Sequence, residues 1–174
     1  MTIPWRRTFV SSESPTGKRN GAGFHPCQGI YYEPTNKHAK TAFIASHYNV
    51  DFSEHYLGEY MAVRGYGFLG WNTRFRGNEA FFLLEHALVD IGVGVAWLKE
   101  LAGVEQVVIL GNSGGGSLMG AYQSQAKSVS MAPTPGLKLP EALHELRNIY
   151  QNNPSAFILK IFFDAKADEI IKIY

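Results

Sequence analysis

The apolar and polar positions divide the chain into an irregular first quarter and a regular remainder. The first 40 residues hold Pro4, Pro15, Pro26 and Pro34 with Gly17, Gly21, Gly23 and Gly29 between them, so only short strands are expected there, around Trp5–Val10 and Gln28–Glu33. From Thr41 the pattern sharpens. Thr41–Ser46 (TAFIAS) and Gly65–Trp71 (GYGFLGW) are uncharged apolar runs of strand length. Between them Tyr56, Leu57, Tyr60 and Met61 recur at helical spacing, which predicts a helix over Ser53–Arg64 with Ser53 as its N-cap. Asn72–Asn78 reads as a polar loop.

The clearest helix is expected over Glu79–Ala102. Leu84, Leu88, Ile91, Val95, Leu98 and Ala102 advance in steps of four and three, one apolar stripe along a helix. Glu79 near its start and Lys99 near its end suit the helix dipole, and Gly103 stands at the C-terminal glycine position. Gly92 and Gly94 in its interior each cost about 1 kcal/mol against alanine; close packing of the helix on a sheet is the expected reason. Gln106–Leu110 (QVVIL) reads as a strand, followed by a small-residue helix over Gly116–Ala126. A loop over Ser128–Gly136, a helix over Leu139–Tyr150 opened by Pro140, and an apolar strand over Ala156–Phe163 complete the pattern. Strands alternating with helices predict an α/β fold, a mostly parallel sheet with flanking helices.

Composition narrows the function classes. The 174 residues carry 16 basic and 15 acidic side chains, a net charge of +1, with 45% apolar and 18% charged residues. That composition fits a single globular domain over residues 1–174 and not a disordered chain. Near-neutrality gives no reason to expect nucleic acid or an anionic membrane as partner. Cys27 is the one cysteine, which excludes an internal disulfide and a cysteine-rich zinc site. No H-x-x-x-H or H-E-x-x-H pair occurs, so no metal is expected. Apolar runs fall short of a membrane span, and MTIPWRRTFV lacks the apolar region of a signal peptide, so a cytoplasmic location is expected.

The chemistry-bearing motif is Gly111-Asn112-Ser113-Gly114-Gly115, a G-x-S-x-G between a β-branched strand and a small-residue helix. A serine at a very tight strand-to-helix turn takes strained backbone angles, and the residues two before and two after it must be small for the elements to approach. The turn lifts the hydroxyl above the sheet edge. The helix N-terminus favours developing negative charge, and the Gly114 N–H becomes an oxyanion donor. Ser113 is thus the candidate nucleophile. The bland alternative is a glycine-rich turn whose serine caps a helix. A phosphate-binding loop fits poorly, because Ser117-Leu118 stands where that motif needs Lys followed by Ser or Thr.

With these residues in view, the chain resembles the N-terminal two-thirds of an α/β-hydrolase, an incomplete version of that fold, over about residues 40–132. The resemblance rests on the strand TAFIAS, the turn His47-Tyr48-Asn49, the strand GFLGW, the loop NTRFRGNE, the long helix and the elbow VVILGNSGGGSLMG. It implies a serine hydrolase acting on a small-molecule ester or related carbonyl substrate, without a cofactor. It also implies a second oxyanion N–H from the turn after the first of these strands. His47 matches the histidine of that turn, Tyr48 stands where glycine is usual, and either Tyr48 or Asn49 supplies the N–H. The region from Arg74 to Asn78 resembles the loop after the next strand, with Arg76-Gly77 as its Arg-Gly pair.

The nucleophile needs a base and the base an orienting acid, which in this family follow the serine as Asp or Glu and then His. His144 is the one histidine after Ser113, and Glu141 the one acid between them; three apart on one expected helix, they read better as a surface pair. Asp164 ends the last expected strand, and no histidine follows it. His25, His38 and His86 are expected to face solvent, and His55 to start the first helix. His47 is the histidine expected near Ser113, able to act as base only by an unusual geometry. The family's fold normally needs roughly 100 residues more. The expectation is therefore a chain truncated at its C-terminus, with Ala156–Phe163 left as an exposed apolar edge, or else an inactive α/β-hydrolase-like binding module. The aromatic run Tyr48, Phe52, Tyr56, Tyr60, Tyr66, Phe68, Trp71, Phe75, Phe81 and Phe82 supplies core rings and candidate pocket walls.

Overall fold

Strand β3, Thr41–His47, is buried along its whole length, and the fold is laid down on both of its faces. The computed structural model describes residues 3–12, 26–77, 82–128, 159–163 and 170–172. Within them the elements are β1 (Trp5–Ser12), β2 (Cys27–Pro34), β3, α1 (Leu57–Ala62), β4 (Gly67–Asn72), α2 (Leu84–Glu100), β5 (Gln106–Asn112), α3 (Gly114–Ser128), β6 (Leu159–Phe163) and β7 (Ile170–Lys172). One sheet runs in the order β1-β2-β4-β3-β5-β6-β7.

Strand periodicity of two explains the layers. On β3, Ala42 and Ile44 join a core with Ala87, Ile91 and Leu98 of α2 and Leu118 and Met119 of α3. Phe43 and Ala45 point the other way, into a core with Leu57, Met61 and Ala62 of α1. Val107 and Ile109 against Val108 and Leu110 divide β5 in the same manner. Uncharged runs such as TAFIAS and QVVIL are what a strand covered on both faces requires.

The sheet is mixed rather than mostly parallel. Its centre, β4-β3-β5, is parallel, while β1, β2, β6 and β7 all pair antiparallel. Strand β6 is not an edge either, since β7 pairs with its far side. Parallel pairing belongs to the strands joined through α1 and α2, because a helical crossover returns the chain in the same direction. Helix α1 is shorter than its spacing suggests and its N-cap residue is Tyr56. Ser53 instead accepts a hydrogen bond from Asn72 Nδ2 at 2.7 Å. Asn72 is the buried last residue of β4, not the first of a loop. Helix α3 begins two residues before its expected start. Glu79, His25, Phe81, the expected helix Leu139–Tyr150 with Glu141 and His144, and Asp164 lie outside the described residues.

Helix α2 is rotated slightly from its leucine stripe. Its buried residues are Ala87, Asp90, Ile91, Gly94 and Leu98, while Leu88 and Val95 are half-buried at the flank and His86 is half-buried rather than exposed. Gly94 accounts for the rotation: a Cβ there would stand 2.7 Å from Ile44 Cδ1 and 2.9 Å from Trp71 Nε1. The helix lies on the sheet at its smallest residue, as expected for Gly94. Gly103 follows with a φ of +67°, the left-handed conformation suited to a helix end.

On the same face a full ion pair is buried. Asp90 accepts from the Arg74 backbone N–H (2.9 Å), from Nε (2.9 Å) and from Nη2 (2.5 Å), with both side chains at most 5% exposed. Trp71 Nε1–H donates to the Asp90 carbonyl at 2.7 Å. These bonds tie the end of β4 and the turn after it to the middle of α2. A bidentate arginine–carboxylate pair removed from water is costly to break, because the surviving partner keeps its charge without compensation.

Two predictions follow from the packing. Replacing Asp90 by Asn should lower unfolding stability by about 3–5 kcal/mol, read as a fall in the urea midpoint; a loss below about 1 kcal/mol would contradict a structural role for the pair. The second concerns His55, whose ring is packed by Phe52, Tyr56 and Phe68 at centroid distances of 5.1, 4.6 and 5.3 Å. Its Nδ1 accepts from the Leu57 N–H at 3.3 Å, and burial pushes its pKa down to about 4. The unfolded imidazole takes a proton near pH 6.5 and the folded one only near 4, so stability is full above that window and falls as pH drops through it. The loss is up to about 3 kcal/mol. Urea midpoints from pH 7 to 4 should show this slope, and His55→Asn, which retains an acceptor for Leu57, should flatten it.

Candidate active site

The parallel register of β3 with β5 sets Ser46 beside Gly111, so the two strands deliver their following turns to one end of the sheet. Beyond β5 the chain passes through Ser113 and is helical again at Gly114. Ser113 is exposed and has a φ of +52°, the one positive φ at a non-glycine residue among the described residues. A left-handed serine costs about 1–2 kcal/mol. Its carbonyl accepts from the Gly116 N–H at 2.9 Å, closing the first turn of α3.

The geometry shows why small residues flank this turn. A Cβ on Gly111 would lie 2.5 Å from the Gly115 carbonyl oxygen and 2.6 Å from the Gly116 Cα. A Cβ on Gly115 would run into the carbonyl oxygen of Ser46. Backbone cannot yield as a flexible side chain does, so strand and helix meet this closely only with glycine at both positions. Helix α3 opens on three glycines and has no acidic residue in its first turn, which leaves the positive end of its dipole uncompensated within that turn.

From the other side comes the turn after β3. His47 is largely buried at 9% exposure. Its Nδ1 lies 2.9 Å from Asn49 Oδ1, which ties the ring to the turn that follows it. The Asn49 N–H approaches the same Nδ1 at a longer 3.4 Å. His47 Nε2 would be 2.9 Å from a Cβ on Gly114, and the Tyr48 ring would overlap such an atom. The structure thus brings Ser113, Gly114, His47 and the Tyr48–Asn49 turn to one place, with the imidazole directed at Gly114.

A second turn holds the first. Thr73 Oγ1–H donates to the Tyr48 carbonyl at 2.8 Å, and the Gly77 N–H donates to the Asn49 carbonyl at 2.7 Å. The Phe52 N–H donates to Asn72 Oδ1 at 2.7 Å, while Asn72 Nδ2 reaches Asp51 at 2.9 Å. Arg76 pairs with Asp51 at 3.0 Å. Partial burial works against the Asp51 charge, yet hydrogen bonds from Ser53 and Asn72, with Arg76 alongside, hold its carboxyl below the ordinary range. Asn72 and Thr73, both buried, were missed as site supports in the sequence. Their one signal was position, directly after the apolar run GFLGW.

Among the described residues no histidine, aspartate or glutamate follows Ser113, and no group of three or more His, Cys, Asp or Glu is placed to hold a metal ion. No helix among them is long and apolar enough to cross a membrane. Of the aromatic run, Phe52, Phe68, Trp71 and Phe75 are buried, Tyr56 and Tyr60 are exposed, and Tyr48 and Phe82 pack edge to face at 5.4 Å beside Gly114.

No family model matches the chain, and no curated protein matches it by sequence. Solved structures do match by shape. A brefeldin A esterase, a bacterial homologue of human hormone sensitive lipase, has a TM-score of 0.57 at 14% identity, over 76% of this chain and 38% of its own. The esterase Est22 has a TM-score of 0.57 at 17% identity, over 73% of this chain and 40% of its own. A cold-adapted esterase from an Arctic intertidal metagenomic library has a TM-score of 0.55 at 11% identity, over 76% of this chain and 60% of its own. This chain therefore spans about two-fifths of the first two esterases and three-fifths of the third. At such identities the likeness speaks for architecture, and the architecture is that of an α/β-hydrolase, present in part.

Proposed function

We propose that the chain carries the nucleophile half of a serine hydrolase site, acting on an ester or related carbonyl bond, with Ser113 as nucleophile. The observation that carries this reading is the strained, exposed Ser113 between β5 and α3, with glycines at 111 and 115 where any Cβ would strike backbone. A serine that only capped a helix would take extended angles and would not need that strain. In the proposed reaction Ser113 Oγ attacks the carbonyl carbon. The developing oxyanion is held by the Gly114 N–H and by an N–H of the Tyr48–Asn49 turn, with the α3 dipole adding to both. No cofactor takes part in this chemistry, and the substrate is a small molecule.

Acid and base have no counterpart among the described residues after Ser113. The second reading is a non-catalytic binding module that keeps the same turn as scaffold. In that reading His47 serves the scaffold through its Nδ1 contact with Asn49.

Treatment with a fluorophosphonate probe, followed by peptide mass analysis, separates the two. A hydrolase site should give an adduct on Ser113 that disappears in Ser113→Ala with the fold retained. An adduct that persists in the Ala variant, or none at all, would rule the nucleophile out and leave the binding module.

A further inference from the structure

Tyr48 puts bulk against the glycine turn at the point where the resemblance leads one to expect none. Its ring lies on Gly114: a Cβ there would stand 2.9 Å from Cδ1 and overlap Cε1. The ring is backed by His47 at a centroid distance of 4.2 Å and by Phe82 at 5.4 Å. Phe82 in turn meets Phe75 at 5.2 Å, and Phe75 is buried. The Tyr48 backbone is held as well, by Thr73 Oγ1 at its carbonyl. The ring is therefore a fixed wall, anchored through an aromatic chain to the core. It is only half-buried and keeps a surface open to a ligand.

We propose that Tyr48 is a specificity-determining residue of this site, admitting esters whose acyl group is short or flat beside the carbonyl and excluding those branched there. The inference rests on Ser113 being the nucleophile. A carbonyl oxygen bonded to the Gly114 N–H, with its carbon in reach of Ser113 Oγ, lies over the peptide joining these residues, and the Tyr48 ring flanks that peptide. A methyl or planar aryl group fits along a ring face. A carbon bearing three further substituents needs the width that the ring fills, and the rings behind it leave no direction for retreat.

The test uses p-nitrophenyl acetate, benzoate and pivalate, which differ only in the acyl group. In each case a bond forms between Ser113 Oγ and the carbonyl carbon, the bond to p-nitrophenolate breaks, and the hydroxyl proton passes to the buffer. Nitrophenolate release gives the rate, and the mass of the Ser113 peptide identifies the adduct. Wild type should be acylated by acetate and benzoate in preference to pivalate, beyond the preference of buffer alone. Tyr48→Gly should shrink the acetate-to-pivalate rate ratio by about 10-fold, the scale on which shape discriminates apolar groups. Tyr48→Phe should keep the ratio, and Tyr48→Leu, which retains an apolar body against Gly114, should fall between. An unchanged ratio in both the Gly and Leu variants, with Ser113 still acylated, would overturn the role of Tyr48. Absence of any Ser113 adduct in wild type would instead overturn the nucleophile reading, and this inference with it.

Discussion

The contact on which this molecule depends is backbone against backbone, where the first turn of α3 presses on the ends of β3 and β5. Gly115 meets the Ser46 carbonyl and Gly111 meets the Gly115 carbonyl, with no side chain between. Such closeness lets the chain turn from strand to helix through a single residue. That residue, Ser113, then takes backbone angles that an ordinary turn would not impose. The strain is sustained by what the approach makes possible: Leu118 and Met119 of α3 seat in the same core as Ile44 and Ile109, and side chains of that size bury roughly 1.5–3 kcal/mol each. A local penalty is thus held in place by packing on the helix behind it.

A second constraint works from the side. The buried Arg74–Asp90 pair and the Trp71 bond to the Asp90 carbonyl fix the end of β4 to α2. From that anchored turn, Thr73 and Gly77 hold both carbonyls of the Tyr48–Asn49 turn. Polar groups buried at this depth favour one arrangement because every alternative leaves donors or charges unsatisfied. Packing therefore sets the position of Ser113, while directional hydrogen bonds set the turn opposite it.

The parts legible in the sequence were those dictated by local periodicity. Uncharged runs located β3 and β5, and the G-x-S-x-G pattern located the tight turn, because in each case the physics acts within a few residues. The close fit at Gly94 was anticipated for the same reason. What escaped depended on distant partners. Ser53 gave up its expected cap position to Asn72, nineteen residues later in the chain. The leucine stripe of α2 misjudged the buried face, because Asp90 belongs there only once Arg74 arrives from another element. The antiparallel flanks were illegible because strand direction is set by connections, while apolar pattern is the same either way.

Cys27 lies at the start of β2 with no exposed surface, beside Asp90, and burial above all pushes its thiol well up from the ordinary range. In the closed molecule it is neither accessible nor ionised, and only the thiolate reacts with disulfides or electrophiles. Since it is the chain's one cysteine, its chemistry is silent while β2 stays seated on the core and begins when that region opens. The fold thus carries an internal clock for its own local unfolding, set beside the ion pair that holds α2 to the sheet.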